Sequence, residues 1–246
     1  MMTNLLSAHL NSAQPRALGP STFNHNVLLG LPKELSDGLR AKARPVELAE
    51  SEALFHRGDA GDGCYWVESG TLKVTVASSL GEERILAVLG PGAVVGELAM
   101  IDGLPRSATI VAMRPSRLAF LSRGEFQESL RQNPSIDRYL VATLVHRLRQ
   151  ADEEAAAASF LTVKARVARA LLHLAAHLGE KTKKEGEVLV RTNLRQADLA
   201  ALAGVARESV SRTLSEWRQH GVVAPSPRST YLIDVRKLSR ETTPND

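Results

Sequence analysis

Residues suited to chemistry are concentrated in one stretch of this 246-residue chain, Gly96-Glu-Leu-Ala-Met-Ile-Asp-Gly-Leu-Pro-Arg-Ser-Ala-Thr109. It follows an apolar strand, Ile85–Leu89, that ends in a Gly-Pro-Gly turn, and it runs into a second apolar strand. Glu97–Ile101 can form about one helical turn, which Asp102-Gly103 and Pro105 then end. The pattern therefore predicts a short helix whose first backbone N–H groups are available to a ligand.

The side chains around this helix start suit one phosphate and one sugar. Backbone N–H groups at a helix N-terminus, a guanidinium (Arg106) and a hydroxyl (Ser107) together favour a phosphate anion. Glu97 is an acceptor, which a phosphate does not need but a ribose hydroxyl does. Taken singly, each residue also fits an ordinary loop in which Glu97 pairs with Arg106. The complete ordered string fits a nucleotide pocket better.

This string resembles the phosphate-binding cassette of cyclic nucleotide-binding domains. In that family the Gly-Glu-Leu opening and the Arg-Ser-Ala close surround the cyclic phosphate and the ribose. By position, the resemblance implies that Glu97 meets the ribose 2′-OH. It also implies that Arg106, Ser107 and backbone near Gly96 and Leu98 meet the phosphate, with Ala108 completing the cassette.

Composition describes an ordinary globular chain with an uneven charge. Apolar residues make up 43% and charged residues 24%, and no apolar run is long enough to span a bilayer. Residues 1–159 contain 16 Lys+Arg and 18 Asp+Glu (−2), whereas 160–246 contain 15 and 9 (+6). The basic C-terminal third indicates contact with a polyanion. The single cysteine, Cys64, argues against disulfides and a four-cysteine iron–sulfur cluster, and no secretory signal is evident, so we expect a cytoplasmic protein.

Residues 45–122 combine short apolar stretches with frequent glycines, which predicts a jelly-roll-like antiparallel β-barrel. The predicted strands are Val46–Leu48, Ala53–His56, Cys64–Val67, Thr71–Ala77, Arg84–Leu89, Thr109–Met113 and Leu118–Leu121. Metal enzymes of the cupin type share such a barrel, but they need paired histidines on its strands. This roll contains His56 alone. We therefore expect neither an enzyme nor a metal site here.

Helical patterns begin after Ser122. They predict helices at Pro32–Arg40 and Arg123–Asn133, a long helix from Ser135 to Ser159, and another at Val163–Leu178. The apolar stripe of the long helix continues beyond its own domain, which favours pairing with the same helix of a second subunit; capping of the barrel is the alternative. His173 and His177 lie four residues apart on the last of these helices, but without a third ligand they are better explained as packing or surface histidines.

The segment 196–214 has the spacing of a helix-turn-helix. Gly204 stands at the turn, and Val205, Val210 and Leu214 are expected to pack the second helix. Its solvent face then contains Ala206, Arg207, Glu208, Ser211 and Arg212. Arginine can bond guanine O6 and N7, and glutamate can accept from cytosine N4. Ser209 and Thr213 are better placed for backbone phosphates, and Gly221–Val223 with Tyr231–Asp234 predicts a winged hairpin.

A β-roll, a long helix and a winged helix-turn-helix in this order resemble the Crp/Fnr family of transcription regulators over residues 30–238. The resemblance implies an α+β fold and a homodimer that binds a two-fold symmetric DNA operator and contacts RNA polymerase. Arg207, Glu208 and Arg212 would read bases. Arg207 implies a TGTGA-like half-site, whereas Ser211 occurs in members that read TTGA-type sites, so the half-site stays open.

The base-reading half of the nucleotide site departs from the family pattern. In cyclic AMP-responsive members a Thr-Ser pair on the long helix contacts adenine, and those positions here are Ala151 and Asp152. Asp152 can accept a hydrogen bond from adenine N6 or from guanine N1 and N2. Cyclic AMP is the first expectation, cyclic GMP the second, and no physiological nucleotide the third.

The expected domains are an N-terminal arm (1–25), a cyclic-nucleotide-binding-like roll (26–133), a dimerisation helix (134–159) and a winged helix-turn-helix domain (160–246). A different class of function, a nucleotide sensor that acts through protein partners, is disfavoured by the helix-turn-helix.

Overall fold

Two antiparallel sheets organise the computed structural model, which describes residues 33–133, 135–191, 194–224 and 230–242. The predicted arm at 1–25 lies outside these residues. The first sheet contains β1 (Arg44–Leu48), β2 (Ala53–Phe55), β3 (Gly63–Ala77), β4 (Glu83–Leu89), β5 (Val94–Val95) and β6 (Thr109–Ser122). Its order is β1-β6-β3-β4, with β2 paired to β6 and β5 to β3. The roll and the helical C-terminal part confirm the predicted α+β class.

Strands β3 and β6 are longer than the sequence predicted, because each joins two predicted strands into one. Cys64–Val67 and Thr71–Ala77 both belong to β3, and the register against β6 shifts at several points between Val67 and Leu72. Gly70 has φ +99°, and a Cβ there would lie 2.0 Å from the Ser116 hydroxyl oxygen. The glycine therefore marks a bulge within a continuous strand and not a strand end.

Short helices close the roll. They are α1 (Lys33–Ala41), α2 (Glu97–Asp102) and α3 (Arg123–Gln132), close to their predicted positions. A capping box starts α3: the Glu125 backbone N–H donates to the Ser122 hydroxyl at 3.3 Å, and the Ser122 N–H donates to the Glu125 carboxylate at 3.1 Å. Trp66 and Phe126 are buried in the core between these helices and the sheet.

The long helix α4 (Ser135–Phe160) has 26 residues, as the continuous apolar pattern predicted. Its first turns belong to the roll, because Ile136 and Leu140 are buried in the same core as Trp66. Farther along, Val141, Val145 and Leu148 are exposed. The helix thus anchors in the roll at one end and presents an apolar stripe at its surface.

The C-terminal part combines α5 (Val163–Leu178), α6 (Gln196–Ala203), α7 (Arg207–Gln219) and α8 (Val235–Arg240) with the second sheet, β7 (Gly179–Lys181), β8 (Glu187–Arg191), β9 (Val223–Ala224) and β10 (Thr230–Asp234). The sheet order is β7-β8-β10-β9. Helix α5 has the predicted bounds and β9 pairs with β10 as a wing should. The sequence pattern did not predict β7 or α8, and the start of α8 is capped by the Asp234 carboxylate.

A single apolar cluster joins the roll to the C-terminal helices. Ile85 and Val88 of β4, with Met113 of β6, lie in the same buried cluster as residues of α5, α6 and α7. Over the described ranges, each helix is too short or too polar to cross a membrane.

Candidate ligand cavity and nucleic-acid interface

A cavity of about 240 Å³ opens between α2 and the roll strands. Most of its wall is apolar, and the polar groups are concentrated where α2 begins. Its lining residues are Phe55, Val74, Leu86, Leu89, Val94, Val95, Gly96, Glu97, Leu98, Ala99, Arg106, Ser107, Ala108 and Ile110. A largely apolar cavity with a few convergent polar groups is typical of a small-molecule site.

The backbone geometry at the start of α2 requires glycine. Gly96 caps the helix with φ +78°, and a Cβ at this position would lie 2.4 Å from the Arg106 guanidinium nitrogen Nη1. Glu97, the first helical residue, is only 6% exposed although it carries a carboxylate. The cavity wall thus combines an acceptor with the N-terminal N–H groups of α2.

Arg106 is buried, with only 3% of the residue exposed, and it is held on several sides. Its Nη1 donates to the carbonyl oxygens of Gly63 at 2.7 Å and Gly96 at 2.8 Å, and its Nη2 donates to the Asp62 carboxylate at 2.7 Å. The guanidinium carbon lies 4.2 Å from the centre of the Phe55 ring. The guanidinium is therefore fixed in place at the cavity wall.

The backbone of Arg106 is fixed by the loop that follows β2. Arg106 N–H donates to the Asp59 carbonyl and Gly58 N–H donates to the Arg106 carbonyl, both at 2.8 Å. This loop lies within the stretch Phe55–Gly61. Asp62, which binds the guanidinium, was not predicted as a site residue.

The structure places six of the predicted ligand residues around one cavity: Gly96, Glu97, Leu98, Arg106, Ser107 and Ala108. Asp152 lies exposed on α4 and is not part of this cavity wall. The apolar lining, including Leu86, Leu89 and Phe55, was missed because apolar strand residues indicate a core as readily as a binding surface. Cys64 is fully buried next to this region, and burial raises the pKa of its thiol.

The helix-turn-helix presents its predicted face to solvent. Gly204 adopts φ +64° at the end of α6, which a tight turn into α7 needs. Arg207, Glu208, Ser211 and Arg212 are exposed on α7, and Ser209 is half-buried. Thr213 was predicted to face DNA phosphates, but it is 7% exposed because it lies on the side of α7 that packs inward with Val210 and Leu214.

Two lysines contact α7 or the residues just beyond its end. Lys164 of α5 pairs with Glu216 at 2.7 Å and with Glu241 at 3.0 Å. The hydrogen bond with Glu216 raises the pKa of Lys164, and the same bond lowers the pKa of Glu216. Lys237 of α8 donates to the carbonyl oxygens of His220 and Gly221, just beyond the C-terminus of α7. These contacts connect α7 to α5 and α8.

The two histidine rings on α5 lie against each other. The rings of His173 and His177 are 4.3 Å apart between centres, and His177 Nδ1 lies 2.9 Å from the carbonyl oxygen of His173. No group of three or more His, Cys, Asp or Glu side chains that could hold a metal occurs among the described residues.

Both halves of the chain match known protein families. Residues 45–133 match the cyclic nucleotide-binding domain, and residues 165–241 match the Crp-like helix-turn-helix domain. The fold and its two sites therefore define a DNA-binding transcription regulator with a cyclic nucleotide-binding domain.

Individual relatives show to which family the chain belongs. It is 37% identical to the cyclic AMP receptor protein of Thermus thermophilus over 191 residues, which cover 77% of this chain and 82% of the relative. It is 28% identical to the CRP-like cAMP-activated global transcriptional regulator of Mycobacterium tuberculosis over 214 residues, covering 87% and 95%. The solved structure of FixK2 from Bradyrhizobium japonicum shares the fold, with a TM-score of 0.72 at 20% identity over 83% of this chain and 99% of that one. The chain belongs to the Crp/Fnr family of transcription regulators.

Proposed function

We propose that this protein is a homodimeric transcription regulator whose DNA binding is controlled by a cyclic nucleotide in the cavity at α2. Cyclic AMP is the first candidate and cyclic GMP the second. One observation carries the proposal: the buried Nε of Arg106 has no hydrogen-bond acceptor among the described residues. Buried donors are nearly always satisfied, and a phosphate oxygen at the cavity wall would supply the acceptor.

The cavity offers different chemical groups to the different parts of the nucleotide. The cyclic phosphate lies against Arg106, the Ser107 hydroxyl and the N–H groups that follow Gly96, which together provide a cation and several donors. Glu97 accepts from the ribose 2′-OH. The apolar remainder of the wall suits the flat base, so all three parts of a nucleoside cyclic monophosphate have complementary surroundings.

A second copy of α4 completes the binding site for the base. At about 100° per residue, Val141, Val145, Leu148 and Asp152 fall within roughly 60° of one another around the helix. The exposed apolar stripe therefore continues into Asp152 on the same face. Pairing two α4 helices through this stripe brings Asp152 to the subunit interface, where its carboxylate can accept from an exocyclic amine of the base.

DNA is recognised by α7 in the major groove. Arg207, Glu208 and Arg212 contact base edges, and Ser209 and Ser211 contact the backbone or adjacent bases. Two recognition helices in a dimer require half-sites about one helical turn apart, on a palindromic operator. The half-site is TGTGA-like or TTGA-like, and direct selection from a random DNA pool distinguishes the two.

Control operates by a shift between two arrangements of the α4 pair. A nucleotide that touches the cavity of one subunit and α4 of both subunits favours one arrangement, which sets the separation of the recognition helices. The names of the two relatives above, a cyclic AMP receptor and a cAMP-activated regulator, support cyclic AMP as first choice. RNA polymerase is the expected protein partner and the cytoplasm the expected compartment of such a regulator. The proposed domains keep the boundaries 26–133, 134–159 and 160–246.

Calorimetric titration of the dimer with cyclic AMP and then cyclic GMP tests the proposal. We expect micromolar binding of at least one nucleotide, with tighter operator binding in its presence. The variant to compare with wild type is Ser107→Ala, which removes one hydrogen-bond donor to the phosphate at an exposed position. Failure of both nucleotides to bind, with operator binding intact, would refute nucleotide control and favour a nucleotide-independent regulator. Failure to select any DNA sequence would favour a sensor that acts through protein partners.

A further inference from the structure

Strand β4 contacts the ligand cavity and the helix-turn-helix domain at once. Leu86 and Leu89 line the cavity, whereas Ile85 and Val88 are 1% and 0% exposed in the apolar cluster shared with α5 and α6. Pairing with β3 skips one residue, because Val74 pairs with Ala87 and Thr75 pairs with Ile85. Leu86 is thus the extra residue of a β-bulge, a feature that redirects side chains within a strand.

Glycines allow close approach on both sides of this contact. A Cβ at Gly204, in the helix-turn-helix turn, would lie 1.9 Å from Nη1 of Arg84 at the start of β4. A Cβ at Gly90, just after β4, would lie 2.8 Å from a methyl carbon of Leu178 at the end of α5. The roll and the DNA-binding domain therefore meet at both ends of the strand.

We propose that Arg84 is a positioning residue that holds the helix-turn-helix against β4, and that this contact couples the cavity to DNA binding. The guanidinium lies against Gly204, the residue that ends α6, and the C-terminus of a helix is the negative end of its dipole, where a cation is stabilising. The coupling rests on the proposed nucleotide control; the positioning role does not.

The shared strand provides the physical link. A ligand that presses on Leu86 or Leu89 displaces the same strand that buries Ile85 and Val88 against α5 and α6. Packed interfaces change between discrete arrangements and do not deform freely, so a shift of β4 alters the fit of the helix-turn-helix. By thermodynamic reciprocity, the docked and undocked forms differ in nucleotide affinity by the same factor by which nucleotide changes the docking equilibrium.

The test compares Arg84→Ala with Arg84→Lys and with the control Arg117→Ala, all in the full-length protein. Arg84 is exposed, so its truncation leaves the core intact, and Arg117 is an exposed arginine on β6. The first measurement is amide hydrogen exchange of the segment 199–206, which needs no ligand. The second is the ratio of operator affinities with and without saturating cyclic AMP, repeated with cyclic GMP.

We expect exchange in 199–206 to be about two- to fivefold faster in Arg84→Ala, in line with one lost helix-terminus interaction. Arg84→Lys should recover part of the protection, and Arg117→Ala should behave as wild type. The nucleotide-dependent affinity ratio should change by a similar factor in Arg84→Ala only.

Unchanged exchange in Arg84→Ala would overturn the positioning role. Faster exchange with an unchanged affinity ratio would overturn the coupling. A wild-type protein that binds neither nucleotide would refute the proposed function instead, and the exchange measurement would still decide the role of Arg84.

Discussion

The Nη1 of Arg106 lies 2.8 Å from the carbonyl oxygen of Gly96, the residue that caps α2. One guanidinium thereby fixes the position of the helix whose N–H groups face the cavity. Gly96 makes the contact possible, because any side chain there would collide with the same nitrogen. The arginine expected to bind phosphate is also part of the framework that builds the phosphate site.

Because of this double role, Arg106→Ala is expected to lower the free energy of unfolding as well as ligand affinity. It leaves two carbonyl oxygens without their donor and creates a cavity, at a cost of about 2–4 kcal/mol. The exposed partner Asp62 adds little. Ser107→Ala should instead lose about tenfold in nucleotide affinity with unchanged stability. Urea denaturation beside calorimetric titration separates the two, and equal stability of wild type and Arg106→Ala would contradict the structural role.

Arg207→Ala is expected to reduce sequence preference more than general DNA affinity. Loss of a bidentate contact with guanine costs about 1–3 kcal/mol of binding free energy on the operator. Affinity for random DNA loses only the contribution of one positive charge. Fluorescence anisotropy with operator and scrambled duplexes measures both affinities at fixed salt. Arg131→Ala, an exposed arginine on α3, is the control. Equal losses on both duplexes would exclude base readout by Arg207.

Val145→Glu is expected to dissociate the dimer. The side chain lies in the exposed stripe of α4 between Val141 and Leu148, and two glutamates facing each other at a helix seam repel. Ala142→Glu is the matched control, since Ala142 is exposed on the same helix about 80–100° away from the centre of the stripe. Sedimentation velocity should show monomers for Val145→Glu only. A dimer that survives this change would place the interface elsewhere.

The capping box of α3 predicts a pH-dependent contribution to stability. Hydrogen bonds from the Ser122 side chain and backbone lower the pKa of Glu125. A carboxyl whose pKa is lower in the folded state stabilises the fold above its unfolded pKa, and this contribution disappears as pH falls through the folded value. Ser122→Ala should therefore cost about 1 kcal/mol at pH 7 and less at pH 3. Chemical denaturation at the two pH values measures this, and a pH-independent difference would show that the Glu125 charge plays no part.

The cassette was predictable because its residue types are determined by local backbone geometry and by spacing along the chain. Helix breakers bound α2, glycine is needed at Gly96, and Arg106 follows at a fixed distance. The exposed face of α7 was equally predictable, since its apolar residues define which side packs inward. The expected exposure of Thr213 was not found. A threonine tolerates burial, and the position of one residue near the edge of a helical face depends on how its neighbours pack.

Long-range features could not be inferred from local pattern. Asp62 bonds to Arg106 across 44 residues of chain, a pairing that depends on the roll being closed. The sequence pattern predicted separate strands Cys64–Val67 and Thr71–Ala77, whereas β3 continues through Gly70 as a bulge against the continuous partner strand β6. The roles of the two faces of β4 could not be predicted either. Apolar side chains on both faces fit a strand buried within one core, and they fit equally well a strand between the cavity and the C-terminal helices.

The burial of Ile85 and Val88 among residues of α5 and α6 has a consequence for how the protein melts. Two regions that share one apolar cluster are coupled in unfolding, since separating them exposes the shared residues. Heating should then give one cooperative transition across residues 33–242 instead of separate steps for the roll and the helix-turn-helix. A destabilising substitution in β4 would accordingly lower the unfolding temperature of the DNA-binding region without touching a residue within it.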